Sequence, residues 1–451
     1  MNLLSIALKS IRQRLVASSL TTLSVALGVA LMIAVLIING YISTMFRETG
    51  TGYDLVVGPQ GSRFQLVLST IYRIEQPIEN LPWRFYEQMR DHPLVERAIP
   101  IAIGDQTEEG QFPIVGTTPF YLTTSYGARG KKFEVAGENM NEAWDAVIGS
   151  EVARKNGWTI GSQFRLIHGG QDDHIHDERF TVRGVLARTN TPNDRSVFVN
   201  LEGFLMLAGH EKPIEEAIAR EAAFFGESEE QIRVRYADQI RNAAAQDHSA
   251  PGHDHAHDQP LPTLQRQVTS ILVICKGADT VRRAAAAMSI MSGLKERNQA
   301  IAVNPVQVMR DLMDNLLANV RLAVLILTGL IILVSGVGIF VSIYNSMADR
   351  RREIGIMRAL GAQRRTVFAI ILLESLVLCI GGGLLGLVLG HGMFIAGAPI
   401  IADRTGLVID PWHVEPLEFV IIPALVVLGT FVGFLPAMTA YRTDVASALQ
   451  Q

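Results

Sequence analysis

Four stretches of this 451-residue chain are long and apolar enough to cross a bilayer, and they fall at its two ends. Crossing takes about 20 mostly apolar residues, and each crossing segment must satisfy its own backbone polar groups, so each reads as a helix. The first lies between Arg14 and Arg47 and the second between Arg321 and Asp349, both without charge. The third, from Arg365 to Asp403, carries one acid, Glu374; the fourth lies between Glu418 and Arg442. Glu374 sits near one end of its span, where an arginine of the adjoining loop can pair with it. The first stretch is too long for a cleaved leader, and no small-residue cleavage site follows "LIINGYISTMF", so it reads as a permanent anchor. "LVLSTIY" and "IPIAIG" are too short to span and read as strands.

Loop basicity sets the expected orientation. Lys9, Arg12 and Arg14 precede the first span, and six arginines lie between the second and third: Arg350, Arg351, Arg352, Arg358, Arg364 and Arg365. The loop between the third and fourth spans offers only Arg404. Both termini and the Arg-rich loop are therefore expected in the cytosol, and the long middle segment outside. A net charge of −4, from 40 basic and 44 acidic residues, argues against a nucleic-acid partner. Two cysteines, Cys275 in the middle segment and Cys379 in a span, exclude a disulfide framework.

The middle segment mixes strand and helix patterns. "YDLVVGP", "FQLVLSTIY", "RFTVRGVL", "SVFVN" and "VTSILVICKG" read as strands. "LPWRFYEQMRDH" and "ADTVRRAAAAMSIMSGLKER" read as helices, and "DAVIGSEVARKNGWTIGSQFRLI" as strand, helix capped near Ser150, strand. The Ala/Glu-rich run from Pro213 to Gln246 is helical in composition. From Pro305 an amphipathic helix is expected to run into the second span as a stalk.

Two histidine stretches stand out. In "QDHSAPGHDHAHDQP", His253, His255 and His257 alternate, which in an extended chain puts them on one side; with His248 they form a candidate zinc site. A solvated Pro/Gly/Ser loop that binds nothing is the other reading. His168, His174 and His176 are weaker metal candidates, because a plain loop joining two strands also accounts for them. Sequence patterns of common catalytic sites are missing. "GARGKK" lacks the spacing and hydroxyl of a phosphate-binding loop, "HEKPI" at His210 lacks the second histidine of a zinc-protease helix, and no nucleophile elbow occurs.

Between the second and third spans lies "NSMADRRREIGIMRALGAQRRT", rich in helix formers, with Gly361 placed to end a helix. Ile354, Met357 and Leu360 are expected near one face of a short amphipathic helix, a handle for a cytosolic protein. In the third span, Gly382, Gly386 and Gly390 recur every four residues and permit close helix packing, either within the chain or in a dimer.

"RRREIGIMRALGAQRRTVFAIILLES" resembles the signature of FtsX-like ABC-transporter permeases. "LPAMTAYRTDVASALQ" is similar to that family's C-terminal end, and the segment from "VIGSEVARKNGWTIGSQFRLI" to "SVFVN" resembles its MacB-type periplasmic core. The resemblance implies four transmembrane helices, one N-terminal and three C-terminal, with a large α+β extracytoplasmic domain between the first and second. The expected layout is a cytosolic amphipathic helix (1–15), a first span (16–41), a periplasmic core (42–304) with a His-rich loop (246–260), and a stalk (305–321). There follow a second span (322–348), a coupling helix or loop (349–365), a third span (366–392), a periplasmic loop (393–417), a fourth span (418–441) and a cytosolic tail (442–451).

The resemblance further implies a non-enzymatic subunit of the cytoplasmic membrane, working as a homodimer with a separate ATPase chain that binds the ATP. It places the ATPase contact at Arg351, Arg352, Glu353, Gly355, Arg358, Ala359 and Gly361, and the N-terminal helix against membrane lipid. The work would be mechanical, through the stalk, on a periplasmic client or accessory protein: lipoprotein, lipid, peptide or metal-linked. MacB itself has a fused ATPase before its first span; none is read here. The alternative is a membrane-anchored zinc-binding sensor or scaffold without an ATP-driven step.

Overall fold

Neighbouring residues of the central strands enter two different cores. Leu55 and Val57 pack in one and Val56 in the other; the same alternation separates Ile271 and Val273 from Leu272, and Val197 and Val199 from Phe198. Side chains on a strand point alternately to opposite faces, so a continuous run of Val, Ile and Leu can be buried only if both faces of the sheet are covered. The computed structural model describes residues 3–49, 52–126, 130–168, 175–207, 209–210, 212–246, 260–312, 315, 318–405, 414 and 416–442. It divides into two units, residues 44–314 and the combined segments 1–43 and 315–451.

The unit from Thr44 to Asp314 is built on an eleven-stranded mixed sheet. Its strands are β1 (Leu55–Gly58), β2 (Val95–Thr107), β3 (Pro113–Thr117), β4 (Val135–Gly137), β5 (Asp145–Ile148) and β6 (Gln163–Phe164). They continue with β7 (Leu166–His168), β8 (Phe180–Leu186), β9 (Val197–Asn200), β10 (Ser270–Cys275) and β11 (Ile301–Val303). The order across the sheet is β11-β1-β10-β2-β3-β9-β5-β8-β4, with β7 added to the far end of β2 and β6 to β8. Only β3–β9 and β5–β8 run parallel among these pairs.

Helices cover both faces. These are α1 (Arg63–Val67), α2 (Trp83–Arg90), α3 (Ser150–Asn156), α4 (Leu201–Met206), α5 (Ile214–Phe225), α6 (Glu229–Arg235), α7 (Ala237–Gln246), α8 (Thr280–Arg297) and α9 (Pro305–Leu312). Phe85 and Met89 of α2 and Ala286 and Ile290 of α8 close one core; Leu66 and Val67 of α1 and Val308 and Met309 of α9 close the other.

The run α5–α7 has its own small core of Ala217, Ile218, Ala222, Ile232, Tyr236 and Leu264. It is tied to α2 by Arg84, which bonds Glu221 at 3.3 Å and Glu227 at 2.9 Å and lies over the Phe225 ring. Ser228 and Gln231 form a reciprocal capping box at the start of α6.

One sequence expectation is corrected in this unit. "FQLVLSTIY" is helical, as α1 followed by a π-helical turn from Leu68 to Tyr72. Its β-branched composition suggested a strand, but Phe64, Val67, Leu68, Ile71 and Tyr72 fall at helical spacing, and Ser62 caps the first turn through the Gln65 N–H. The helix expected to be capped near Ser150 is α3, which starts there with Gly149 as its N-cap and no side-chain capping bond.

The other unit contains the N-terminal helix Leu3–Gln13 and the apolar parts of four long helices. The membrane-length segments are Ser18–Gly40, Leu322–Asn345, Arg364–Ile400 and Glu418–Arg442. Glu374 is buried in the third. Ser375 donates across to the Gly429 carbonyl of the fourth helix at 2.9 Å, which joins these two helices by a hydrogen bond away from water. The expected stalk is described as α9 up to Leu312 and again from Ala318; residues 313, 314, 316 and 317 lie outside the described part.

Candidate functional site

The basic segment between the second and third spans is not a separate helix. One helix runs from Ala318 to Ala359, so the span and the backbone of Arg351, Arg352, Glu353, Gly355 and Arg358 form a continuous rod. No proline lies between Asn345 and Ala359, and the Ala, Arg, Glu and Met residues there favour a helix enough to carry it through Gly355. The rod ends where Gly361 takes φ +99°, with Gly361 N–H bonding Arg358 O and Ala362 N–H bonding Met357 O. The next helix starts at Arg364.

Ile354 is buried against Val367 and Ile371, and Met357 packs on the same cluster. Leu360, expected on that face, is 83% exposed. It lies at the turn, beyond the last helical residue, and so leaves the stripe. A cleft of about 390 Å³ opens between this segment and the N-terminal helix, lined by Ile6, Lys9, Gln13, Ile356, Met357 and Ile370.

Gly382, Gly386 and Gly390 lie against the first span. A β-carbon on each would meet Val25, Ala26 with Val29, and Ile33 respectively, at 2.6–2.9 Å. The stripe is thus a packing face within the chain.

His248, His253, His255 and His257, the candidate zinc ligands from sequence, lie outside the described residues, as does His174. A different histidine set converges. Asp105, His168, His176 and His210 each present one ligand-type atom, all within 4.8 Å of one another. His168 pairs directly opposite Asp105 where β7 adds to β2. His176 returns antiparallel to β7, its N–H bonding the Leu166 carbonyl at 3.0 Å. His210 follows α4. Asp105 itself sits at a bulge: the β2–β3 register slips by one residue between Ile103 and Gln106, where Gly104 holds φ +150°. Asp105 and His176 are 6% and 1% exposed, whereas the His168 side chain is 27% exposed.

Asp105 Oδ1 lies 3.2 Å from His168 Nδ1, and Oδ2 lies 3.0 Å from His210 Nε2 and 3.7 Å from His176 Nε2. Burial alone would raise the Asp105 pKa; contact with His168 and His210 outweighs it and holds the carboxyl well below the usual range. The carboxylate is therefore charged. His210 Nδ1 lies 2.7 Å from the Phe204 carbonyl, which can only accept, so the ring proton is on Nδ1. That leaves Nε2 of His210 as the ligand-type atom facing the carboxylate. The three ring centroids are 4.6, 5.1 and 5.4 Å apart, so the imidazoles and the Asp105 carboxylate converge on one point.

Sequence reasoning did not bring these four residues together. It explained His168 and His176 as loop residues, tested His210 only against a helical motif, and passed over Asp105. The one signal was an acid near the end of the otherwise apolar strand pattern "IPIAIGDQT".

The chain matches the MacB-like periplasmic core domain over residues 18–249 and the FtsX-like permease C-terminal region over residues 325–445. It is 31% identical over 151 residues to the macrolide export ATP-binding/permease protein MacB of Rhodopirellula baltica, covering 34% of this chain and 21% of that protein. It is 34% identical over 125 residues to the uncharacterized ABC transporter permease YknZ of Bacillus subtilis, covering 28% and 30%. The chain thus spans less than a third of the length of these curated relatives. The periplasmic region of MacB from Actinobacillus actinomycetemcomitans is similar at 12% identity and a TM-score of 0.32, over 60% of this chain and 95% of that one. With one model matching 232 of 451 residues and the other most of the C-terminal third, this chain belongs to the FtsX-like permeases that carry a MacB-like periplasmic core domain.

Proposed function

We propose that this chain is the membrane subunit of an ABC transporter and couples ATP hydrolysis on a separate cytosolic ATPase to mechanical work in the periplasm. The observation that carries this reading is the FtsX-like match over 325–445 together with the unbroken helix Ala318–Ala359, which extends the second span into the basic segment. A force on the segment around Glu353 would move the whole helix, because a helix transmits displacement along its axis without a hinge. Ile356, which lines the cleft by the N-terminal helix, is exposed, as is Leu360 at the turn, and both offer apolar surface suited to a partner.

In this reading both termini and the turn at Gly361 face the cytosol, the core domain is periplasmic, and two copies act together. Arg351, Arg352, Glu353, Gly355, Arg358, Ala359 and Gly361 make the ATPase contact. The client is a lipoprotein, lipid, peptide or metal-linked molecule.

The test is a mild-detergent pull-down of the tagged chain from its native membranes, with ATP hydrolysis assayed in the eluate. Co-purification of an ATPase that is lost in Glu353→Ala is expected. Failure to recover ATPase activity across several detergents would favour the second reading, a membrane-anchored metal-binding sensor or scaffold. The His/Asp cluster is the observation behind that alternative.

A further inference from the structure

We propose that Asp105, His168, His176 and His210 form a closed, four-ligand Zn²⁺ site that fastens the β7 hairpin and the entry to the α5–α7 insertion onto the end of β2. The proposal stands whether or not the chain is coupled to an ATPase.

The donor set selects the metal. Three imidazole nitrogens and one carboxylate oxygen suit Zn²⁺ and neighbouring transition ions, whereas Ca²⁺ and Mg²⁺ take mainly oxygen ligands. The geometry also fits. Bonds of about 2.0–2.1 Å arranged tetrahedrally put ligand atoms about 3.3 Å apart. Here Asp105 Oδ2 lies 3.0 Å from His210 Nε2 and 3.7 Å from His176 Nε2, Oδ1 lies 3.2 Å from His168 Nδ1, and one ligand atom from each residue lies within 4.8 Å of all the others, so small side-chain shifts close the set on one ion. The hydrogen bond from His210 Nδ1 to the Phe204 carbonyl fixes the ring and leaves Nε2 as the ligand atom, the usual outer support of a metal-bound histidine. The half-exposed edge of His168 supplies an entry path, while Asp105 and His176 lie beneath it.

The ligands come from three places: the bulged end of β2, the two arms of the β7 hairpin, and the loop between α4 and α5. Four protein ligands leave no position for an activated water, so the ion has a structural or sensing role and not a hydrolytic one. Filling the site would tie the loop after α4 to β2 and to β7, which pair with each other over three residues. Emptying it would free the hairpin and the base of the insertion. Residues 248–257, with four further histidines, follow that insertion directly in sequence.

The experiment uses the full chain in mild detergent, stripped with a chelator, with His248, His253, His255 and His257 all changed to Asn so that the tract cannot contribute. Zn²⁺ is titrated by calorimetry, and Co²⁺ by its visible absorption. Equimolar Zn²⁺ binding and the intense bands of tetrahedral Co²⁺ are expected. Adding His168→Asn should weaken Zn²⁺ by at least about tenfold, whereas His92→Asn, at a histidine elsewhere in the domain, should leave it unchanged. Asp105→Asn should abolish the Co²⁺ bands. If that buried change unfolds the domain, the partly exposed His168→Asn decides the matter alone. Stripping should also raise hydrogen exchange at residues 164–168 and 201–207. No equimolar metal binding in the tract-less chain would overturn the proposal, as would binding indifferent to His168→Asn.

Discussion

Gly386 lies so close to Ala26 that a β-carbon on it would come within 2.6 Å of the Ala26 carbonyl oxygen. Gly386→Ala must push the first and third span helices apart or strain them, at a cost of about 1–3 kcal/mol. Gly381, five residues earlier, has nothing within 4 Å of its would-be β-carbon, and Ala there should be neutral or slightly stabilising. Melting of the detergent-solubilised chain should therefore drop for Gly386→Ala and not for Gly381→Ala. Equal melting would mean that these helices do not pack through the glycine stripe.

Gly361 holds φ +99° at the turn that ends the second span helix, with open space around it. An L-residue there pays about 1–2 kcal/mol in backbone strain without any clash. Gly361→Ala should loosen the turn, and trypsin should cut faster at Arg358, Arg364 and Arg365 in inside-out vesicles. Unchanged cleavage would argue that the turn is not held by this glycine.

Glu227 bonds both Arg84 and Arg235, and these hydrogen bonds lower its pKa from 4.5 to about 2. A carboxyl with a depressed folded pKa contributes stability that is complete above the unfolded value and lost as pH falls through the folded one. The attachment of α5–α7 to α2 should thus weaken between about pH 4.5 and 2. Trp83, adjacent to Arg84 and with its ring tilted against Tyr86 at a centroid distance of 4.7 Å, reports it by fluorescence. Glu227→Gln should flatten that part of the acid transition; an identical transition would remove the ion pair from the account.

Cys275 is buried in β10, and burial, with Asp54 nearby, pushes its thiol up to about 11. The thiolate is the reactive form, so the native thiol should resist maleimide at neutral pH. Cys379 is also fully buried. Labelling should require detergent denaturation and then reach both residues; rapid labelling of the native chain would show that the β10 core opens readily.

The alternating apolar strands and the four spans were legible because each follows from local periodicity or length. Ile271, Leu272 and Val273 must be buried wherever β10 goes, and a 20-residue apolar run has one economical conformation in lipid. "FQLVLSTIY" was misread because a short apolar run satisfies both periods, and only the packing of Leu66 and Ile71 beneath the sheet chose between them. The basic segment was misjudged in another way. Charge change marked the membrane edge at Asp349, but helix propensity does not stop there, so the helix continued to Ala359.

By itself, then, the sequence determined the spans, the inserted α+β domain and the permease signature, since apolar length, alternation and a contiguous motif are properties of neighbouring residues. The tertiary structure decided what neighbours cannot encode. It turned the Gly382–Gly390 face toward the first span of the same chain. It also brought Asp105, His168, His176 and His210 together from a bulged strand, a hairpin and a loop. A ligand set scattered across those elements has no spacing to read, because its geometry comes from strand register and a one-residue bulge.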